Sequence, residues 1–386
     1  MSKTLKDVLS NYDLQSHQNP YTGKVLSRIK NCRSSQMGYH YYKCDNPKCQ
    51  HVHYQYHGCG NRHCPQCNWL KQQQWKEARI NELLPVKYFH VVLTLPHELN
   101  SIIAGNRVEL FNLLFKSASN TLLTLCKDPK WLGAIPSISM VLHTWGQQLS
   151  FHPHVHCIVS GGGVDKDLNW VDLKKKTHNG YLLPYKVLEP FFKKCFLRNL
   201  NRLINSGKVK IDSKTNWKHL KNTLYSKQWI VYAKPPMGNA NQVVEYLAQY
   251  CNKVAISNHR ILEVNNNEVL FQYKDRNQNG KKRQMKLSIS EFVRRFEQHI
   301  LPHRFVKIRH YGILANNNRV TRINAILAKM KLPPHPPKVK IPYQVRLLEL
   351  YDFDVNKCPK CNTGKLVLID VIYPNCRGSP IINRFN

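Results

Sequence analysis

Acidic residues are scarce in this chain: 23 Asp and Glu against 58 Lys and Arg in 386 residues, a formal net charge of +35 and a pI of about 9.8. That imbalance exceeds what solubility requires, and a polyanionic partner is its simplest explanation. Also missing is any apolar run near the roughly 20 residues that cross a bilayer, which excludes a membrane span. The N-terminal run Met1-Ser2-Lys3-Thr4-Leu5-Lys6-Asp7 lacks the apolar centre of a signal peptide, so a cytosolic protein is expected. Disulfides are then disfavoured, and the thirteen cysteines read as metal ligands or buried thiols. The length accommodates two or three domains.

What is present is concentrated in a few places. The run Phe151-His152-Pro153-His154-Val155-His156-Cys157-Ile158-Val159-Ser160 reads as a strand that ends in Gly161-Gly162-Gly163. Side chains alternate along a strand, so His154 and His156 share a face and can share one metal ion. Ile138–Trp145 precedes it across a short polar loop, and the two runs form an antiparallel hairpin. With the turn centred near Gln148, His143 falls opposite His154 on the same face. His143 is thus the natural third ligand, with Gln147 and His152 behind it. The glycine run beyond would permit close backbone approach.

Six cysteines lie between positions 32 and 67. Cys44 and Cys49 form a C-x₄-C pair, and Cys64 and Cys67 a C-x₂-C pair. Two such turns complete a tetrahedral Zn²⁺ site, so the first choice of ligands is Cys44, Cys49, Cys64 and Cys67, with Cys59 as leading substitute. Cys32 reads as a small buried residue. A second ion or another set of four stays open, because His51, His53 and His63 lie close by. Four thiolates leave no open position, so this zinc is structural.

Elsewhere, Tyr88–Leu95 reads as a buried strand stopped by Pro96, and a helix of about twenty residues runs from near Arg107 to Cys126. Between Asp165 and Lys227 no strand is evident, and the stretch reads as an inserted or peripheral helical element. Its Lys193, Lys194, Arg198 and Arg202 form a basic face, read equally as a solvated surface or as one that tracks phosphates. Trp229–Ala233 is another strand. Asn241–Asn252 reads as an amphipathic helix on which Tyr246 and Tyr250, four apart, share a face. Periodicity alone makes both tyrosines core residues. Lys253 follows within reach of a phosphate. A capping-box pattern at Ser288-Ile289-Ser290-Glu291 opens a helix. Lys307, Arg309, His310 and Arg319 form a basic run expected to touch DNA. Pro333-Pro334-His335-Pro336-Pro337 is a stiff linker. Cys358 and Cys361 are half a zinc knuckle, to which Cys376 could add a third sulfur.

These residues together resemble the rolling-circle transposases of the insertion-sequence-91 family, in the His-hydrophobic-His endonuclease superfamily. The resemblance rests on Gly60-Asn61-Arg62-His63-Cys64-Pro65-Gln66-Cys67, His143-Thr144-Trp145-Gly146-Gln147 and His152-Pro153-His154-Val155-His156. It continues through Lys234-Pro235-Pro236, Tyr246-Leu247-Ala248-Gln249-Tyr250, Val254-Ala255-Ile256-Ser257-Asn258 and Phe305–Gly312. It implies that Tyr246 and Tyr250 are the nucleophiles, as in a two-tyrosine member, and that His154 and His156 hold a catalytic Mg²⁺ or Mn²⁺. Such an enzyme nicks single-stranded DNA at element ends, rejoins it through a 5′-phosphotyrosine, and works in the bacterial cytoplasm on nucleoid DNA. The chain has no G-x-x-x-x-G-K-[ST] loop, which agrees with religation that needs no nucleotide.

The expected fold is α+β: an antiparallel-sheet nuclease core with helices, plus a small zinc-binding domain. The expected division is a DNA-docking head at 1–84, a core at 85–330 with a helical insertion at about 165–228, and a linker and CxxC tail at 331–386. Two alternatives stand beside the transposase: a plasmid replication initiator or relaxase of the same chemistry, and a non-catalytic zinc-dependent DNA-binding regulator. Intact His154, His156, Tyr246 and Tyr250 argue against the last.

Overall fold

In the computed structural model the described residues are 3–14, 17, 19–67, 82–173, 182–233, 254–275, 278–315, 318–336 and 341–374. The helices expected near Trp69–Leu84 and at Asn241–Asn252 fall wholly or largely outside them.

Two short helices open the chain, α1 (Leu5–Ser10) and α2 (Pro20–Lys30). The Asp7 carboxylate accepts the Thr4 N–H at 2.8 Å. Asn19 caps α2 by accepting the Thr22 N–H at 3.1 Å, and Pro20 sits in the first turn, where its missing N–H costs no hydrogen bond. Strands β1 (Tyr39–Cys44) and β2 (Val52–Tyr56) pair antiparallel across the turn that holds Cys49.

Next come β3 (Tyr88–Thr94), α3 (Asn100–Gly105) and α4 (Arg107–Lys127), then the hairpin of β4 (Ile135–Trp145) and β5 (Phe151–Val164). A short β6 (Trp170–Asp172) pairs with the end of β5. Helices α5 (Tyr185–Asn205) and α6 (Trp217–Ser226) precede β7 (Val231–Ala233). A three-stranded sheet follows, β8 (Ile261–Val264), β9 (Glu268–Asp275) and β10 (Lys281–Ser288). It leads into α7 (Ile289–Glu297), whose cap Ser288 accepts the Glu291 N–H as its sequence pattern predicts. Then come β11 (Ile308–Gly312), α8 (Arg319–Lys329), α9 (Tyr343–Tyr351) and β12 (Leu366–Ile372).

The main sheet has the order β11-β4-β5-β3-β7 with β6 beside β5, and its pairs are antiparallel. The protein is therefore α+β, as expected. One face of this sheet, with Phe89, Val91, Leu93, Ile138, Met140, Leu142, Val155, Cys157 and Val159, buries against α4.

Within the 165–228 stretch, β6 is a strand where none is evident from the sequence, and α5 packs into that same core rather than at its periphery. Helix α5 packs on α4, and Phe192 and Phe196 meet Trp229 edge-on at 5.6 and 5.7 Å between ring centres. Buried Glu189 accepts the Trp229 N–H at 2.9 Å and pairs with Lys193 at 3.2 Å, so the helix docks through polar as well as apolar contacts. A second core joins α1 and α2 to Ala255, Ile256, β8, β9 and α7. The tail strand β12 completes the head's sheet in the order β12-β1-β2.

Candidate metal and nuclease site

The register of the main sheet decides where the imidazoles go. Because Val155, Cys157 and Val159 of β5 are fully buried against α4, His154 and His156 must face the other side. His143 on β4 lies directly opposite His154, and Val141 opposite His156. The three histidines are buried at 3–7% exposure, and one ring nitrogen from each lies within 4.8 Å of those of the other two.

Two hydrogen bonds prepare the ring nitrogens. His154 Nδ1 lies 2.6 Å from the His152 carbonyl oxygen, so its Nδ1–H donates there and Nε2 is the nitrogen that carries the lone pair. His156 Nδ1 lies 2.9 Å from His90 Nε2, with the two rings stacked 6° from parallel. The two Nε2 atoms stand 3.2 Å apart. Nitrogen ligands about 2.1 Å from one ion are separated by roughly 3.0 Å at a right angle and 3.4 Å in a tetrahedron, so the pair fits a shared ion. His143 stacks on Trp145 at 4.4 Å, which holds its ring against the cluster.

His90 lies beside this cluster, although strand alternation in β5 does not single it out. It sits on β3, with His90 opposite Ile158 and Val92 opposite His156, on the same face as the metal candidates. The signal was present as a polar residue inside an otherwise apolar strand. Behind Trp145, buried His299 has its Nδ1 3.2 Å from the Thr144 hydroxyl and its Nε2 3.1 Å from the Leu149 carbonyl. Burial pushes its pKa down to about 3.

Gln147 does not join the cluster. Its side-chain oxygen accepts from the Lys274 N–H at 3.4 Å and its carbonyl accepts from Arg260, so the hairpin turn directs it to β9. The glycine run serves the chain itself. A Cβ on Gly163 would stand 2.6 Å from the Ile135 carbonyl oxygen, and one on Gly162 would stand 2.4 Å from the Trp170 ring. Tyr246, Tyr250, Lys253 and Lys234-Pro235-Pro236 lie outside the described residues, following β7 in the chain. Tyr232 on β7 pairs with Val92 and is half exposed on the histidine face.

The cysteines separate differently from the expected set. Cys32, Cys59, Cys64 and Cys67 converge, with Sγ–Sγ separations of 3.4 Å (Cys32–Cys67), 3.7 Å (Cys32–Cys64) and 3.8 Å (Cys59–Cys67). Sulfurs about 2.3 Å from a tetrahedral zinc ion stand roughly 3.8 Å apart, so this set fits one. The expected quartet of Cys44, Cys49, Cys64 and Cys67 does not assemble. The β1–β2 turn carries Cys44 and Cys49 toward Cys358 and Cys361 instead. Cys59, the substitute, is a full member of the first group, and Cys32 joins it despite its packing among Leu26 and Ile29. That apolar setting is why it read as a buried thiol. Cys376 lies outside the described residues.

Arg309, His310 and Arg319, half-buried, each also make contacts within the protein. The Arg309 guanidinium lies 4.4 Å over Phe115, His310 Nδ1 lies 2.9 Å from the Ser139 hydroxyl, and Arg319 pairs with buried Glu82 at 3.1 Å. On α5, exposed Lys194, Arg198 and Arg202, four residues apart, border a groove with Lys221 and Tyr225 of α6. Lys193 is not among them, since it turns to Glu189 and the Lys227 carbonyl. Among the described residues, no helix is long and apolar enough to cross a membrane.

Comparison with known proteins matches residues 137–321 to a family described as "Putative transposase" and residues 4–95 to one described as "Transposase zinc-binding domain". The chain is 36% identical over 369 residues to "Putative transposase y4qJ" of Sinorhizobium fredii, covering 92% of this chain and 91% of that one. It is 26% identical over 345 residues to "Transposase for insertion sequence element IS801" of Pseudomonas savastanoi pv. phaseolicola, covering 88% and 81%. No solved structure matches it.

Proposed function

Since the chain belongs to the insertion-sequence-91 family of transposases, with an N-terminal zinc-binding domain, we propose that it moves DNA by nicking one strand and holding the cut end on a tyrosine. The observation that carries this reading is the convergence of His143, His154 and His156 on the sheet face turned away from α4. A divalent ion bound there, Mg²⁺ or Mn²⁺, would polarise the scissile phosphate and offset its developing charge. The tyrosine phenol, Tyr246 or Tyr250, loses its proton and attacks phosphorus in line. The Tyr O–P bond forms as the P–O3′ bond breaks, and the departing 3′-oxygen takes up a proton. The phosphodiester energy stays in the 5′-phosphotyrosine, so the reverse attack by a 3′-hydroxyl rejoins DNA without a nucleotide. A second tyrosine on the same helix face permits a second transfer before the first is resolved.

Lys253, three residues beyond Tyr250, is proposed to hold the phosphate during attack. His152 and His90 orient the ligating rings through His154 Nδ1 and His156 Nδ1. Single-stranded or locally melted DNA at element ends and target is the proposed substrate, because the phosphate must reach buried imidazoles. The zinc head and the α5–α6 groove supply phosphate contacts, and the protein acts in the bacterial cytoplasm on nucleoid DNA.

Covalent trapping tests the reading. Labelled single-stranded oligonucleotides from element ends are incubated with the protein and Mn²⁺ or EDTA, then denatured. A metal-dependent adduct lost in the Tyr246→Phe, Tyr250→Phe double variant and in His154→Ala, His156→Ala is expected. Tight DNA binding without an adduct would overturn it in favour of a non-catalytic regulator.

A further inference from the structure

We propose that Cys44, Cys49, Cys358 and Cys361 bind a second structural zinc ion, shared between the two ends of the chain. The C-x₄-C turn of β1–β2 and the C-x₂-C knuckle of the tail each offer half a tetrahedron, and the fold brings the halves face to face. Cys44 Sγ lies 3.7 Å from Cys361 Sγ, and Cys49 Sγ lies 3.9 Å from Cys358 Sγ. Those separations match the roughly 3.8 Å edge of a zinc–thiolate tetrahedron. They are far longer than the roughly 2.05 Å of a disulfide.

The surroundings are those of a built site. Backbone N–H groups point at the sulfurs: Gly364 donates to Cys361 Sγ at 3.2 Å, and the amides of Asn46 and His51 face Cys44 and Cys49. Gly364 leaves the space that the cluster occupies, since a Cβ there would stand 2.5 Å from Cys44 Sγ. The turns are laced together around the cluster. The Asp45 N–H donates to the Lys365 carbonyl at 3.0 Å, and the Lys365 N–H donates to the Asp45 carboxylate at 2.7 Å. The Cys358 N–H donates to the Gly364 carbonyl at 2.8 Å, which closes the knuckle. Beyond it, Cys44 pairs with Leu366 at the start of β12, so the ion would sit where the tail strand docks on β1.

This site shares no ligand with the Cys32, Cys59, Cys64 and Cys67 set or with the histidines, and it stands whether or not the protein transfers DNA. Its role is to lock the tail onto the head, so that β12 stays paired.

The test is metal content in the full-length protein. Zinc per chain is measured in the wild type and in Cys358→Ser/Cys361→Ser, Cys44→Ser/Cys49→Ser and the quadruple variant combining them. Each is expected to lose one zinc ion, the quadruple variant no more than the pairs, while Cys32→Ser/Cys59→Ser loses a different one. Hydrogen exchange should show β12 losing protection in the first variant while β4 and β5 keep theirs. Cadmium-113 NMR of the exchanged wild type gives a readout independent of variant folding, with two all-thiolate resonances expected. One such resonance, or a folded Cys358→Ser/Cys361→Ser variant with wild-type zinc content, would overturn the proposal.

Discussion

Replacing His90 isolates the contribution of ligand orientation at the histidine cluster. His156 can present Nε2 to an ion only if its proton sits on Nδ1, and the acceptor for that proton is His90 Nε2, 2.9 Å away. His90→Leu keeps a buried side chain on the strand but removes the acceptor, leaving the His156 Nδ1–H buried and unsatisfied at a cost of about 1–3 kcal/mol. Removing such an orienting partner typically weakens metal binding by about 10–100-fold, or about 1.4–2.7 kcal/mol. His90→Gln supplies a side-chain carbonyl and should recover part of the loss. The assay is Mn²⁺ titration by calorimetry or electron paramagnetic resonance, with zinc content as a control that should not change. The Mn²⁺ concentration giving half-maximal covalent adduct should rise by the same factor. A His90→Leu protein that binds Mn²⁺ within twofold of wild type would refute the role assigned to His90.

Three further outcomes follow from the same geometry. Gly163→Ala should lower the melting temperature, since its Cβ would meet the Ile135 carbonyl at 2.6 Å, and about 1–3 kcal/mol is the scale of such overpacking; an unchanged melting curve would remove the packing argument. His299, with a pKa of about 3 when folded against roughly 6.5 unfolded, favours the folded state fully above pH 6.5, and its contribution falls as the solution acidifies toward pH 3. Denaturant unfolding between pH 7 and pH 5 should therefore show about 2 kcal/mol less stability in the wild type than the pH response of His299→Gln accounts for, and equal slopes would contradict this. Lys194→Ala, Arg198→Ala and Arg202→Ala combined should weaken single-strand binding and lower the slope of log affinity against log salt by about 2, at roughly 0.7 per phosphate contact; an unchanged slope would place the DNA elsewhere.

The histidine hairpin was legible because two local rules agree there. Strand alternation puts His154 and His156 on one face, and a short loop forces antiparallel pairing with His143 opposite His154. His90 was harder to see, because its partner is 66 residues away and β3 meets β5 only through tertiary pairing. The cysteines show the same limit more sharply. Spacing finds the half-sites, but which halves join depends on a tail strand, and nothing near Cys44 or Cys49 announces Cys358 or Cys361. Cys32 reads as a buried thiol in the sequence because burial among aliphatic side chains suits a thiol and a ligand equally. The internal partners of Arg309, His310 and Arg319, which are Phe115, Ser139 and Glu82, come from distant segments and could not be read from the local sequence. The 165–228 stretch reads as peripheral until α5 is seen to present Phe192 and Phe196 to the main core.

The pairing of β12 with β1 has a consequence for biosynthesis. The strand that finishes the head's sheet, and the two cysteines that face Cys44 and Cys49 across 317 and 309 residues, are among the last parts of the described chain to leave the ribosome. A polypeptide stopped between residues 164 and 358 would contain the whole histidine hairpin, yet β1 would keep an open edge and Cys44 and Cys49 would lack Cys358 and Cys361. A gene copy truncated before residue 366 would therefore yield a product that lacks the strand with which β1 pairs.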